Sequence, residues 1–359
     1  MKKIYYIAVV FATLFLAGCG DGIDLPGVNV ETDLNKIPLP DNNVNLEQVE
    51  LKPSTEPMLH EGLHTEEDFQ RIRDKKAAGE EPWVSAYQLL VESQFSQKTA
   101  DTYPTELIKR GISGDENYMN AARGATIVYQ QALRWKIEQD DEYAAKAVEN
   151  LNKWVQTCVG VTGNTNLSLA AGLYGYEFAI AGELLRDYGG WDRADFAAFQ
   201  NWLLKVFYPA NDDFLKRHHD TNALHYWANW CLCNIAAKMA IGIVTDRRDI
   251  YNEGIDHLQT GDTNGRLRRA IYHDYAPDYN FAQWQESGRD QGHTLMCVGL
   301  MGVICQLAWS QGDDFFAYDD NLFLRACEYA ACCNYTNETV PYTTYIWQKQ
   351  SQWGYPIPE

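Results

Sequence analysis

Apolar residues recur at helical spacing over most of the chain beyond residue 58, and convincing period-two alternation is almost absent. Thr65 followed by Asp68 reads as a capping box, and Glu66, Glu67 and Asp68 suit the positive end of a helix whose apolar stripe begins at Phe69 and Ile72. Pro82 opens a second helix through Trp83, Tyr87, Leu90 and Val91. Longer helices are expected over 115–139, 142–158, 167–188 and 193–207, the last ended by Pro209. Residues 222–244 and 295–309 are apolar on nearly every face, which predicts inner helices covered on most sides. Residues 249–259 are amphipathic and predict an outer helix, and 321–333 predict a peripheral one. Inner apolar helices alternating with outer amphipathic ones predict an all-α fold, an (α/α) toroid in the form of an incomplete barrel of helical hairpins. An irregular helical bundle would show the same periodicity. Only 260–284 breaks the pattern. Its Asp, Asn, Gly and Pro turn signals predict one long loop or small hairpin excursion, and long loops in compact domains are usually functional.

The first residues change the picture of where this domain works. Lys2 and Lys3 precede an apolar run, Ile4 to Leu16, that is too short for an ordinary membrane span. Leu16-Ala17-Gly18-Cys19 then looks like a bacterial lipobox. That resemblance implies cleavage before Cys19, lipidation of its thiol and anchoring in the cell envelope, on the periplasmic or outer-surface face, with acyl chains holding the protein rather than spanning the membrane. The expected organisation is a signal peptide over 1–18, a linker rich in Asn, Asp and Pro over 19–57, and one folded domain over 58–359. The net charge of −19 argues against nucleic acid, whose binding is driven by phosphate neutralisation. A local site can still oppose the global charge and take an anionic sugar. Aromatic residues make up 13 % of the chain, and rings with a polar tip suit carbohydrate as well as core packing. The cysteines beyond Cys19 sit largely in apolar runs without a CxxC pair, so neither a zinc site nor a disulfide framework is expected, and no cofactor.

Three polar clusters stand where inner helices should begin. Residues 285–294, QESGRDQGHT, bring Gln285, Arg289, Gln291 and His293 directly before an apolar run. Arg289 offers a planar fork for a carboxylate, and His293 titrates near neutrality. A satisfied helix-capping network is the structural alternative. In the second cluster Asn222, His225 and Asn229 are spaced i, i+3, i+7, one face of a helix, with Tyr226 beside them. The third is Gly163-Asn164-Thr165-Asn166. In a toroid the starts of inner helices face the central cleft, so the three clusters could converge. His218 and His219 are adjacent and cannot both point inward on regular backbone, and His225 and His293 lack a carboxylate at motif spacing, so no metal site is expected. Asn, Gln, His and Arg outnumber acids in these clusters. That balance suits neutralising a substrate carboxylate for β-elimination on a uronate: Arg or amide donors stabilise the enolate-like charge, and a Tyr or His moves the protons.

TNALHYWANW, QESGRDQGHT, GNTNLSLAAGLYGYEF and HEGLHTEEDF together resemble the alginate lyase family of polysaccharide lyases, over about Leu59 to Tyr345. The resemblance implies an (α/α)-barrel enzyme that cleaves an acidic polysaccharide, alginate foremost, with an Asn/His neutralising pair, an Arg and a catalytic Tyr. Asn222 and His225 take the pair's place, the histidine displaced by one residue relative to the family's Asn-Asn-His before Tyr-Trp. Arg289 takes the arginine's place. For proton transfer the candidates are Tyr279 in the loop and His293, with Tyr226 in reserve. Asn164, Asn166, Tyr226, Asn229, Gln285 and Gln291 are expected to hold the substrate. Family members continue with further helices, so the domain is expected to be cut short at its C-terminal end. A monomer is expected. Two other readings stay open: a non-catalytic glycan-binding lipoprotein, and an (α/α)-toroid glycoside hydrolase that would use Glu286 or Asp290.

Overall fold

The structure, a computed structural model, describes residues 54–335 and 340–343. The signal peptide, Cys19, most of the linker and the C-terminal end of the domain lie outside the described residues. Twelve helices are described. They are α1 (Glu66–Ala77), α2 (Trp83–Glu92), α3 (Tyr118–Glu138), α4 (Asp141–Thr157), α5 (Leu167–Leu184), α6 (Arg193–Val206), α7 (Tyr208–Arg217), α8 (Ala228–Val244), α9 (Arg248–Thr260), the short α10 (Leu267–Ala270), α11 (Gln291–Ser310) and α12 (Tyr318–Tyr335). The expected toroid is found. Helices α3, α5, α8 and α11 pack side by side as an inner arc, and α4, α6, α7, α9 and α12 lie against them as outer partners. The physical reason is in the side chains. All of α5 from Ser168 to Leu184 is buried except Glu177, and all of α8 except Trp230, so neither helix has a polar face to offer water. Gly242 lets α9 close on α8, since a Cβ there would sit 2.6 Å from the Tyr251 amide nitrogen.

Four local departures from the sequence reading shape the site. The helix expected over 222–244 begins only at Ala228, so Asn222 and His225 lie in a turn and share no helical face with Asn229. The helix expected from 295 starts at Gln291, which turns the polar cluster into its first turn. Pro209 does not close off the region: it occupies the first turn of α7, where a missing N–H costs nothing. Strands β1 (Leu107–Arg110) and β2 (Gly160–Gly163) pair in parallel, with Arg110 opposite Gly163. The excursion at 260–284 contains α10 and an antiparallel hairpin, β3 (Ile271–Asp274) and β4 (Ala282–Trp284), that packs on α12.

A strap over residues 58–64 crosses the C-terminal ends of the inner helices. The Leu59 amide donates to Gln311 Oε1 at 2.9 Å, and Gln311 Nε2 donates back to the Leu59 and Glu61 carbonyls. His60 Nε2 meets Asp246 just beyond α8 at 2.9 Å, and Gly62 lies on Glu183 at the end of α5. The preceding residues are also tied down. Arg248 donates to the Glu56 and Pro57 carbonyls, and Asn252 to that of Ser54, so the end of the expected linker packs on α9. The strap floors the toroid and leaves the N-terminal ends of the inner helices as its mouth.

Candidate active site

The mouth collects the segments that precede α5, α8 and α11. Gln285 links two of them: its Oε1 accepts from the Ala228 amide at 2.8 Å, so it caps the first turn of α8, and it is fully buried. Arg289, three residues beyond Glu286, donates to Glu286 Oε2 at 2.5 Å and lays its guanidinium over the Trp227 ring, 4.2 Å from the centroid. Stacking and ion pair together fix the fork while leaving it partly exposed. Glu286 is wholly buried and its Oε1 lacks a partner. Burial pushes its carboxyl up to about 7, opposed by Arg289 and His293. Gly288 adopts φ +78°, and the Tyr342 hydroxyl would be 2.5 Å from a Cβ placed there, so the turn and the close approach both require glycine.

Asp290 is the N-cap of α11. One carboxylate oxygen accepts from the His293 amide at 3.0 Å and the other contacts His293 Nδ1 at 2.6 Å. The cap therefore also orients the imidazole and leaves Nε2 as its second ring nitrogen. The pairing with His293 holds the Asp290 carboxyl down at about 2 despite partial burial. This carboxylate–histidine pair forms only because the helix starts four residues earlier than the apolar run suggested.

The opposite side of the mouth is built on strained backbone. His218, His219 and Asp220 take φ of 48°, 51° and 60°, three successive non-glycine residues in the left-handed region. This run solves the problem of adjacent histidines. His218 turns inward, with Nε2 3.5 Å from Cys231 Sγ, and burial lowers it to about 4, helped by His219 and His225. His219 turns to the mouth, its Nε2 3.0 Å from Ser168 Oγ at the start of α5. Tyr226 lies between His219 and His225, with ring centroids 5.8 Å and 4.8 Å away, and its hydroxyl pairs with Thr165. Burial raises the Tyr226 phenol, and the Thr165 bond opposes that rise. His225 itself is exposed. Asn222 Oδ1 accepts from the Leu224 amide at 2.8 Å, and its carbonyl from the His225 amide.

Asn164 is exposed and its Oδ1 accepts from both the amide and the side chain of Asn166, each at 2.9 Å, at the entry to α5. Beside them Arg110 stacks on Tyr118 at the start of α3, 4.6 Å from the ring centroid. Three expected substrate ligands serve packing instead. Asn229 is 1 % exposed against Met296, Gln285 caps α8, and Gln291 Nε2 bonds Asn334 to tie α11 to α12. Tyr279 sits on the turn of the β3–β4 hairpin, 54 % exposed, with its amide on the Tyr275 carbonyl. Tyr272 from the same hairpin is buried against Leu224 and Trp227, next to the residue that carries Arg289. Sequence reasoning passed over His219, Trp227 and Tyr272. Only Trp227 left a signal, as the Trp of Tyr-Trp.

A toroid mouth with a held arginine, a carboxylate-oriented histidine and four inner-helix N-termini defines a polysaccharide lyase for acidic chains: the fixed positive groups meet the substrate's charge inside an otherwise acidic protein. The family model of the alginate lyases matches residues 73–338, and the chain belongs to the alginate lyase family. Among solved structures, an alginate lyase A1-III variant with a histidine replaced by alanine, complexed with a tetrasaccharide, is similar with a TM-score of 0.60. It is 14 % identical, over 80 % of this chain and 83 % of that one. Alginate lyase A1-III from Sphingomonas species A1 gives a TM-score of 0.54 at 14 % identity, over 77 % of this chain and 80 % of that one. An alginate lyase from Bacteroides ovatus gives 0.53 at 14 % identity, over 83 % and 87 %. No curated protein sequence matches significantly.

Proposed function

We propose that the chain cleaves alginate by β-elimination with the groups gathered at the mouth. Arg289 receives the C6 carboxylate and stabilises the charge that develops when C5 is deprotonated. Asn222 and exposed His225 assist from the turn before α8. His293, oriented by Asp290, takes the C5 proton, the C4–C5 double bond forms, and the O4 leaving group is protonated by the Tyr226 hydroxyl. The observation that carries this reading is that Arg289 and His293 are each held by their own carboxylate, Glu286 and Asp290. The arrangement counts against a glycoside hydrolase for two different reasons: Asp290 is held ionised by His293, and Glu286, though its carboxyl is raised, is wholly buried behind Arg289. Asn164 and Asn166 would line the approach of the chain, with Arg110 buried behind them.

The test is ultraviolet absorbance during incubation with alginate, glucuronan and a neutral glucan. A rise with alginate, from the conjugated unsaturated uronate, is expected. Reducing ends without absorbance would sink the elimination. We also propose that the protein acts as a monomer anchored in the cell envelope through Cys19. Lys2, Lys3 and Leu16–Cys19 support the anchor. Detergent-phase partitioning that survives Cys19→Ser would refute the anchor, and a dimer on size exclusion the monomer.

A further inference from the structure

Arg110 closes β1 opposite Gly163, where β2 runs into Asn164 and the mouth. The residue is 5 % exposed, and its Nη1 is shut from solvent with no hydrogen-bond partner. The acids of the turn that follows are engaged elsewhere. Asp115 pairs with Lys109 at 2.7 Å, and Glu116 accepts from the Gly111 amide. Among the described residues no acid pairs with Arg110, whose guanidinium lies over the Tyr118 ring. A buried cation is ordinarily paired, because leaving it without a counter-ion is costly. Tyr118 and Leu167 open α3 and α5, so the fork sits beside two helix starts. No acid stands in the first turn of either helix, and neither N-cap, Asn117 nor Asn166, caps through its side chain. The positive ends of both helices are therefore left uncompensated beside Arg110. The place joins the mouth and is lightly filled. Thr165 pairs with Tyr226, and Ser168 with His219, on the wall before α8. Gly163 across the sheet and Gly111 next in the chain carry no side chain, and what lies on Gly111 is the exposed Asn164.

We propose that Arg110 is a second carboxylate receptor, which takes the acid group of a further uronate in the bound chain, separate from the one Arg289 holds for cleavage. The proposal rests on the lyase reading and deepens it. The planar fork offers parallel N–H donors to a carboxylate, and the starts of α3 and α5 add to the positive potential it meets. Asn164 is the cover: turning its short side chain off Gly111 admits the sugar's acid group from the mouth. The two arginines then differ in kind. Arg289 is held by Glu286, an acid of its own, and stays fixed whether or not substrate is present. Arg110 has no such acid and is neutralised only when the substrate supplies one. The enzyme would therefore favour chains with several acid sugars over a single uronate flanked by neutral ones.

The experiment is calorimetric titration of the full chain with a tetrauronate from alginate, and with the same tetramer after its carboxyls are reduced to alcohols. It is done in a His293→Ala background, so that the ligand is not consumed, with and without Arg110→Met, and thermal melts are taken of both chains. Methionine keeps an unbranched side chain over Tyr118 and carries no charge. Arg110→Met is expected to weaken tetrauronate binding about tenfold and to leave the reduced tetramer within about twofold. Its melting temperature without ligand should be no lower than the parent's, since a buried charge without a partner has been removed. A structural arginine would instead lose stability and affinity together. Unchanged tetrauronate affinity, an equal loss for both tetramers, or a lower melting temperature overturns the receptor. Unsaturated product from the wild type on alginate alongside that result would leave the lyase reading standing. The expected binding pattern without any unsaturated product would do the reverse.

Discussion

The two walls of the mouth solve the same problem by opposite means. Before α11, one carboxylate caps the helix and orients His293, while another holds Arg289, so the side chains are fixed by pairing on ordinary backbone. Before α8, the side chains are aimed by the backbone itself, through left-handed His218, His219 and Asp220, and the resulting ring contacts are unpaired in charge. The first arrangement is electrostatic and should fail when a charge is removed. The second stores strain, on the order of 1–2 kcal/mol per residue, and should fail when packing loosens or improve in stability when strain is relieved.

The sharpest break is Arg289→Ala. It removes the carboxylate receptor and strands buried Glu286, and kcat/KM on alginate is expected to fall on the order of a thousandfold. Arg289→Lys should restore little, because a lysine cannot reproduce the fork over Trp227. Asp290→Asn comes next. Asparagine still caps the helix, so the melting temperature should hardly move, but His293 loses its charged partner and kcat should drop on the order of a hundredfold. A steady-state assay beside a thermal melt checks both.

Glu286→Gln sharpens the comparison through pH. The folded carboxyl titrates at about 7, above the usual carboxylate range, so the unfolded chain releases its proton first as pH rises. The wild type is therefore expected to lose stability between about pH 4.5 and 7, and the glutamine variant to show a flatter melting profile there. On the other wall, Asp220→Gly should raise stability by about 1 kcal/mol in a urea melt, because glycine takes φ 60° without strain and only an exposed pair with Arg217 is lost. The smallest effect is expected from Tyr279→Phe. On an exposed hairpin tip it should leave kcat within about twofold, whereas Tyr226→Phe should not. Equal losses in the two would reverse the choice of tyrosine.

The same contrast explains what could be read in the chain. The inner helices were legible because α5 and α8 are apolar all round, a pattern that only a covered helix tolerates. Arg289 and His293 were legible as a cluster at a helix start, and the structure brings them together on a cap. The α8 wall was not. A spacing of i, i+3, i+7 from Asn222 to Asn229 presumes a helix, and the turn up to Trp227 dissolves it. The inversion at His218–Asp220 leaves no periodic trace, so His219 was set aside with its neighbour. β1 and β2 were missed because they are only four residues long, with two glycines in β2. Helix α7 was missed because Pro209 reads equally as a stop and as a first-turn residue.

The strap has a consequence for the order in which the molecule can assemble. Leu59 and Gln311 are partners 252 positions apart, and Glu61 meets the same glutamine. A chain made from its N-terminus presents Leu59 long before Gln311 exists. The hairpins α3–α4 and α5–α6 can gather from local contacts, but the belt beneath them stays unfastened until α11 arrives. Until then the backbone of Leu59 and Glu61 lacks its partner, so a newly made chain passes through an interval with its belt open to aggregation and to proteases.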